Sequence, residues 1–190
     1  TVFVRLTGCP LRCTYCDTDY AFGGGEWMSY EQILKEIEQY NCEHICMTGG
    51  EPLAQKRAYE FYHLLCEKGY SVSTETGGAH DISVLDKRVM VVMDLKTPDS
   101  GEMSRNLYEN IDHLKPSDQV KFVICSRKDY DWCKMTVDKY NLTDKCEVLF
   151  SPSYGQVEYA DLAEWILKDR LKVRMQVQLH KIIWGEKQGV

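Results

Sequence analysis

The strongest constraint on this chain is a rhythm. Six short runs of strand length, residues 1–7, 43–48, 70–76, 88–94, 119–125 and 146–150, alternate along it with longer segments. Several of those segments carry helical periodicity. Ser29 and Gln32 form a capping box ahead of Ile33, Leu34 and Ile37. Residues 54–68 read as a helix stopped by Gly69, and residues 128–140 and 159–171 as two more, before an alternating, strand-like segment at 174–180 that puts His180 near a strand end. The run at 88–94 is almost continuously apolar, as expected where both faces of a parallel sheet are covered. A chain that repeats strand, then helix, builds a parallel sheet with right-handed crossovers. The expected fold is therefore α/β, a partial βα barrel of about six mostly parallel strands, too few to close an eight-stranded barrel. With 190 residues, one domain spanning 1–190 accounts for the whole chain.

Such folds keep their ligand sites where the strands end. Directly after the first strand stands Gly8-Cys9-Pro10-Leu11-Arg12-Cys13-Thr14-Tyr15-Cys16-Asp17-Thr18, with three cysteines at spacings of four and three. An irregular loop can aim three sulfurs at one soft metal centre, which a regular helix or strand cannot. Three ligands hold an iron–sulfur cubane with one iron open, whereas a closed zinc site needs four. The sequence leaves a zinc knob open as an alternative, with a fourth ligand from Cys42, His44 or Cys46. After the second strand comes Thr48-Gly49-Gly50-Glu51-Pro52, whose paired glycines allow a close backbone approach and whose carboxylate can accept from an ammonium or a ribose hydroxyl. The third strand ends in Glu75-Thr76-Gly77-Gly78 and the fourth in Asp94 and Lys96. Arg5 alternates onto the side of the strand that faces Cys9, where a substrate carboxylate would satisfy it. A strand-end surface charge is the plainer alternative.

Composition limits the remaining choices. A net charge of -6 lacks the basic footprint of a nucleic-acid binder, so a small substrate is expected. The longest purely apolar run, residues 89–93, is far shorter than the roughly 18 residues of a membrane span, so no membrane is expected. The nine cysteines are odd in number and follow no signal peptide, which points to a reducing cytoplasm.

The three-cysteine loop, with Tyr15 before its last cysteine, resembles the signature of the radical S-adenosylmethionine enzymes. Cys16-Asp17-Thr18, Gln178-Leu179-His180-Lys181 and the run from Phe3 to Cys9 resemble, within that superfamily, the 7-carboxy-7-deazaguanine synthase family, and the likeness covers most of the chain. The resemblance implies a lyase that contracts 6-carboxy-5,6,7,8-tetrahydropterin to 7-carboxy-7-deazaguanine with loss of ammonia, in 7-deazapurine and queuosine biosynthesis. It implies a [4Fe-4S] cluster on Cys9, Cys13 and Cys16, and Mg2+ on Thr18. Tyr15, Gly50, Glu51, Glu75, Lys96 and Ser151 would meet S-adenosyl-L-methionine, and Arg5, Thr48, Gly49 and His180 the pterin. It further implies a homodimer and a flavodoxin or ferredoxin as electron donor. The family carries a glutamine- and glutamate-containing segment ahead of its first strand, which would stand before Thr1; a protein lacking it is expected to hold the pterin less well. A glycyl-radical-enzyme activase shares the three-cysteine loop and a short barrel, but gives no reason for Asp17-Thr18 or His180-Lys181.

Overall fold

The structure is a computed structural model that describes residues 1–189. It contains one sheet of seven strands, all parallel, in the order of the chain. They are β1 (Val2–Leu6), β2 (His44–Gly49), β3 (Ser71–Thr76), β4 (Met90–Asp94), β5 (Gln119–Ile124), β6 (Glu147–Pro152) and β7 (Arg174–Met175). The first and last strands do not pair, so the sheet stays open. The helices are α1 (Tyr30–Glu38), α2 (Lys56–Glu67), α3 (Arg127–Tyr140), the short α4 (Leu142–Lys145), α5 (Tyr159–Asp169) and α6 (Leu179–Trp184).

Local chemistry explains where these elements begin and end. The Ser29 side chain accepts from Gln32 N while the Gln32 side chain accepts from Ser29 N, so the expected capping box starts α1. Gly69, at φ +85°, takes the left-handed turn that stops α2. Alternation then sorts the strand residues. Ile45, Met47, Val72, Val91, Met93, Val120, Phe122, Val148 and Phe150 face outward and are buried with Leu34, Ile37, Phe61, Tyr62 and Leu162 of the helices. Burying a side chain of this size is worth about 1.5–3 kcal/mol, so the outer layer supplies most of the drive to fold. The opposite, concave face carries Arg5, Thr48, Glu75, Asp94, Lys121 and Ser151 and lines a cleft.

Three expectations need correction. The sheet has a seventh strand of only two residues, because the alternating stretch that began at Arg174 leaves the sheet once Gln176 N has bonded to Phe150 O. His180 therefore lies on α6 and not at a strand end. The strand-then-helix order also fails twice. The crossovers at 77–89 and 95–118 hold no α-helix, only turns and 3-10 segments such as Tyr108–His113. Buried side chains stand in for helical hydrogen bonds there. Asn110 accepts from Ile82 N and donates to the carbonyls of Gly78 and His80, while Asp118 accepts from Val91 N and from Lys115 N.

Candidate active site

All the motifs read from the sequence meet at the carboxyl ends of the strands, around a cleft of about 990 Å³. The cysteine loop is held at both ends. On one side Gly50 N donates to Leu6 O at 2.8 Å and Glu51 N to Gly8 O at 2.7 Å. On the other, Thr14 N donates to Ser100 O at 3.0 Å and Thr14 Oγ1 to Asp99 O at 2.8 Å. Arg12 folds back inside the loop, with Nη1 donating to the carbonyls of Cys9 and Leu11 at 2.7 Å, and its guanidinium stacks 4.2 Å from the Phe22 ring. Thr14 and Asp99 carry no local signal of this role, because they lie 85 residues apart along the chain, and Arg12 reads in the sequence as one more loop charge.

The paired glycines do something other than expected. A Cβ on Gly49 would stand 2.0 Å from Leu6 O, and one on Gly50 would stand 2.1 Å from Gly8 O. Their missing side chains admit the backbone that enters the cysteine loop, before any ligand is considered. Glu51 differs from expectation as well. Its side chain is buried, and its carboxylate accepts from Leu53 N (3.0 Å), Thr76 Oγ1 (2.9 Å) and Gly77 N (2.7 Å). The group ties the end of β2 to the end of β3 and does not stand free in the cleft.

Cys9, Cys13 and Cys16 are free, half-buried thiols. Burial pushes Cys13 and Cys16 above the ordinary thiol value, and Lys96 nearby works against that rise. Among the described residues no three His, Cys, Asp or Glu side chains draw close enough for a single metal ion. Three soft sulfur donors spread around one loop fit the wider body of an iron–sulfur cubane with one open iron. The zinc alternative loses its fourth ligand on geometry. At about 3.3 Å per residue along β2, Cys42 and His44 stand well over 10 Å from the strand end where the loop lies. Cys46 points into the middle of the concave face beside Glu75.

Lys96 is buried, and its Nζ donates to Asp94 Oδ2 at 3.0 Å. Burial works against the charged ammonium, but Asp94, with Cys13 and Glu51 behind it, holds the lysine above its ordinary value. Tyr15 lies over this pair, its ring 5.7 Å from Lys96 Nζ. Burial raises its phenol, and neither that hydroxyl nor Asp94 Oδ1 has a partner. Two buried polar atoms without partners, beside the cluster loop, mark a place where a polar ligand is wanted. Ser151 is buried and lines the same cleft.

Arg5 stands on the concave face next to Thr48, its partner in register. Thr48 Oγ1 donates to Glu75 Oε2 at 3.3 Å, which sets Glu75 on the floor of the cleft beside Thr48. Asp17 gathers the opposite rim. Its Oδ1 accepts from Thr18 Oγ1 at 2.8 Å, its Oδ2 accepts from Gln178 Nε2 at 2.7 Å, and His180 Nε2 lies 3.4 Å away. This brings the carboxyl-terminal segment over the cysteine loop, across 161 residues of sequence. Thr18 and Asp17 offer the oxygen donors that a hard cation prefers.

The family model of the Radical SAM superfamily matches residues 3–124. The chain is 40% identical to the 7-carboxy-7-deazaguanine synthase of Chlorobaculum tepidum, over 96% of this chain and 84% of the relative. It is 38% identical to that of Koribacter versatilis, over 100% and 91%. The chain belongs to the 7-carboxy-7-deazaguanine synthase family of the Radical SAM superfamily. Solved structures agree on the fold. QueE from Escherichia coli superposes with a TM-score of 0.72 at 20% identity, covering 93% of this chain and 84% of that one. Streptococcus suis SuiB bound to S-adenosylmethionine superposes with a TM-score of 0.61 at 12% identity, covering 93% and 46%. In this chain the three cysteines and the concave floor line one cleft. No helix among the described residues is long and apolar enough to cross a membrane.

Proposed function

We propose that this chain contracts 6-carboxy-5,6,7,8-tetrahydropterin to 7-carboxy-7-deazaguanine, releasing ammonia. The observation that carries the reading is a juxtaposition. Three half-buried thiols in one loop share a cleft with Arg5, Thr48 and His180, in a chain 40% identical to a synthase of that name. Cys9, Cys13 and Cys16 would hold a [4Fe-4S] cluster, Gly50, Tyr15, Lys96 and Ser151 would border S-adenosyl-L-methionine, and Gly49 would lie beside the pterin. When bound, these groups supply one-electron reduction and hydrogen abstraction.

The chain's own residues bind, orient and shield. Lys96, kept charged by Asp94, offsets the negative charge of the thiolates. Arg5 presents a planar fork suited to the substrate carboxylate. Thr48 and Glu75 offer a hydroxyl and a carboxylate to the ring's polar edge. Asp17 positions Thr18, whose hydroxyl would join magnesium to the substrate carboxylate, and Gln178 draws α6 over the cleft to limit water. A homodimer, a flavodoxin or ferredoxin as reductant, and a cytoplasmic setting complete the reading.

The test is an anaerobic assay of the reconstituted protein with carboxytetrahydropterin, S-adenosyl-L-methionine and reductant, with and without magnesium. Formation of 7-carboxy-7-deazaguanine, faster with magnesium, is expected, and Cys13→Ala should abolish 5′-deoxyadenosine formation. Turnover by a Cys13→Ala protein that holds no cluster would refute the assignment.

A further inference from the structure

Strand β5 sends Val120, Phe122 and Ile124 outward into the core, which leaves Lys121 and Val123 on the concave face. Lys121 is level with Asp94 on β4 and with the fully buried Leu149 on β6. Its side chain keeps 22% exposure, and it lines the cleft. The ammonium meets one charged partner, Asp94 Oδ2, at 3.9 Å. That oxygen already receives Lys96 Nζ at 3.0 Å. One carboxylate serving two ammonium groups leaves most of their six N–H donors unmatched, and the shorter contact belongs to Lys96. Among the described residues Lys121 Nζ makes no hydrogen bond of its own. A largely buried lysine so placed, lining the cleft with most of its donors unmatched, has them to offer an acceptor on a ligand.

Two further charges share the floor, Arg5 on β1 and Glu75 on β3. Cys46 on β2 is their common neighbour. Burial raises its thiol to about 11; Glu75 adds to the rise, while Arg5 and Lys121 oppose it. All three charges line the same cleft, with the two cations arriving from β1 and β5 and Glu75 from β3 between them. A flat ligand with a carboxylate at one end and, at the other, a pyrimidine edge with a carbonyl beside N–H groups matches that arrangement. Arg5 has the bidentate fork for the carboxylate. A single ammonium suits a single carbonyl oxygen.

Building on the ring-contraction reading, we propose that Lys121 is a substrate-binding residue that donates to the carbonyl oxygen of the pterin's pyrimidine ring, with Asp94 aiming it. The reading concerns ground-state recognition, so binding tests it apart from turnover. Pterin and 6-carboxypterin share the pyrimidine edge and differ in the carboxylate. Equilibrium dialysis of each against the cluster-loaded protein with S-adenosyl-L-methionine measures affinity for wild type, Lys121→Met and Lys121→Arg. Loss of a charge-assisted hydrogen bond predicts that Lys121→Met weakens both ligands about tenfold or more, while Lys121→Arg stays within about threefold of wild type. Lys121→Gln, run alongside, keeps a donor without the charge, and the same comparison stands on it if the Met variant folds poorly. Unchanged binding of both ligands by the Met and Gln variants overturns the proposal. So does a loss confined to 6-carboxypterin, which would put the ammonium on the carboxylate. A wild-type protein that binds neither ligand would instead remove the pterin assignment and this inference with it.

Discussion

Replacing Gly50 with alanine tests the claim that the glycine pair exists to seat the cysteine loop. The added Cβ would stand 2.1 Å from Gly8 O and 2.6 Å from Gly8 C, both backbone atoms that no rotamer change can move. Ordinary contact begins at 3.4 Å, so the two segments must part by about 1.3 Å. A shift of that size breaks the bonds Gly50 N→Leu6 O and Glu51 N→Gly8 O, now 2.8 and 2.7 Å long. Overpacking costs about 1–3 kcal/mol and each lost hydrogen bond about 1 kcal/mol, for a total near 3–5 kcal/mol. Gly23 supplies the control, because nothing lies within 4 Å of its added Cβ and its φ of -158° suits any residue. Urea denaturation should show Gly50→Ala losing a large part of the stability, and the folded protein should take up less iron on anaerobic reconstitution. Gly23→Ala should stay within about 0.5 kcal/mol of wild type. A Gly50→Ala protein within 1 kcal/mol of wild type, with full iron content, would refute the reasoning.

Two other outcomes follow from buried groups. Glu51→Gln turns one acceptor oxygen into a donor facing Gly77 N, Thr76 Oγ1 or Leu53 N, and should cost about 1–3 kcal/mol in denaturant titration even without cofactor. If Glu51 served only a ligand, the apoprotein would be unaffected. The buried thiols make stability fall on the alkaline side. Burial raises Cys46 and Cys146 to about 11 and Cys125 to about 12, above the unfolded thiol value. The folded state therefore keeps protons that the unfolded chain has lost. Their contribution is complete below pH 9 and declines as pH climbs toward 11–12, so the urea midpoint should drop across that interval. A flat midpoint there would mean the thiols are better solvated than the structure has them.

Much of the architecture was legible in the sequence because strand alternation, capping boxes and glycine stops are local patterns. The span of α1 follows from Ser29, Gln32 and an apolar stripe, all within ten residues. The crossovers at 77–89 and 95–118 were not legible as irregular. Their order depends on Asn110 and Asp118 finding backbone partners 27 to 32 residues away. The alternation at 174–180 suggests a strand where the chain forms α6, since the place of that helix is set by Gln178 reaching Asp17 rather than by its own pattern.

The sequence by itself determined the chemistry of the rim. Three cysteines within eight residues stay on one loop wherever that loop is placed, and a parallel strand order puts it with the other strand-end motifs. Only the tertiary structure decided what the floor contains and which groups are spent on holding it together. Arg5, Glu75 and Lys121 lie on three strands, and nothing local makes them neighbours; the register between parallel strands does. The same register puts Glu51 inside the fold and presses Gly49 and Gly50 against the backbone of β1 and the loop it feeds, because contacts across a sheet are fixed by pairing and not by proximity along the chain.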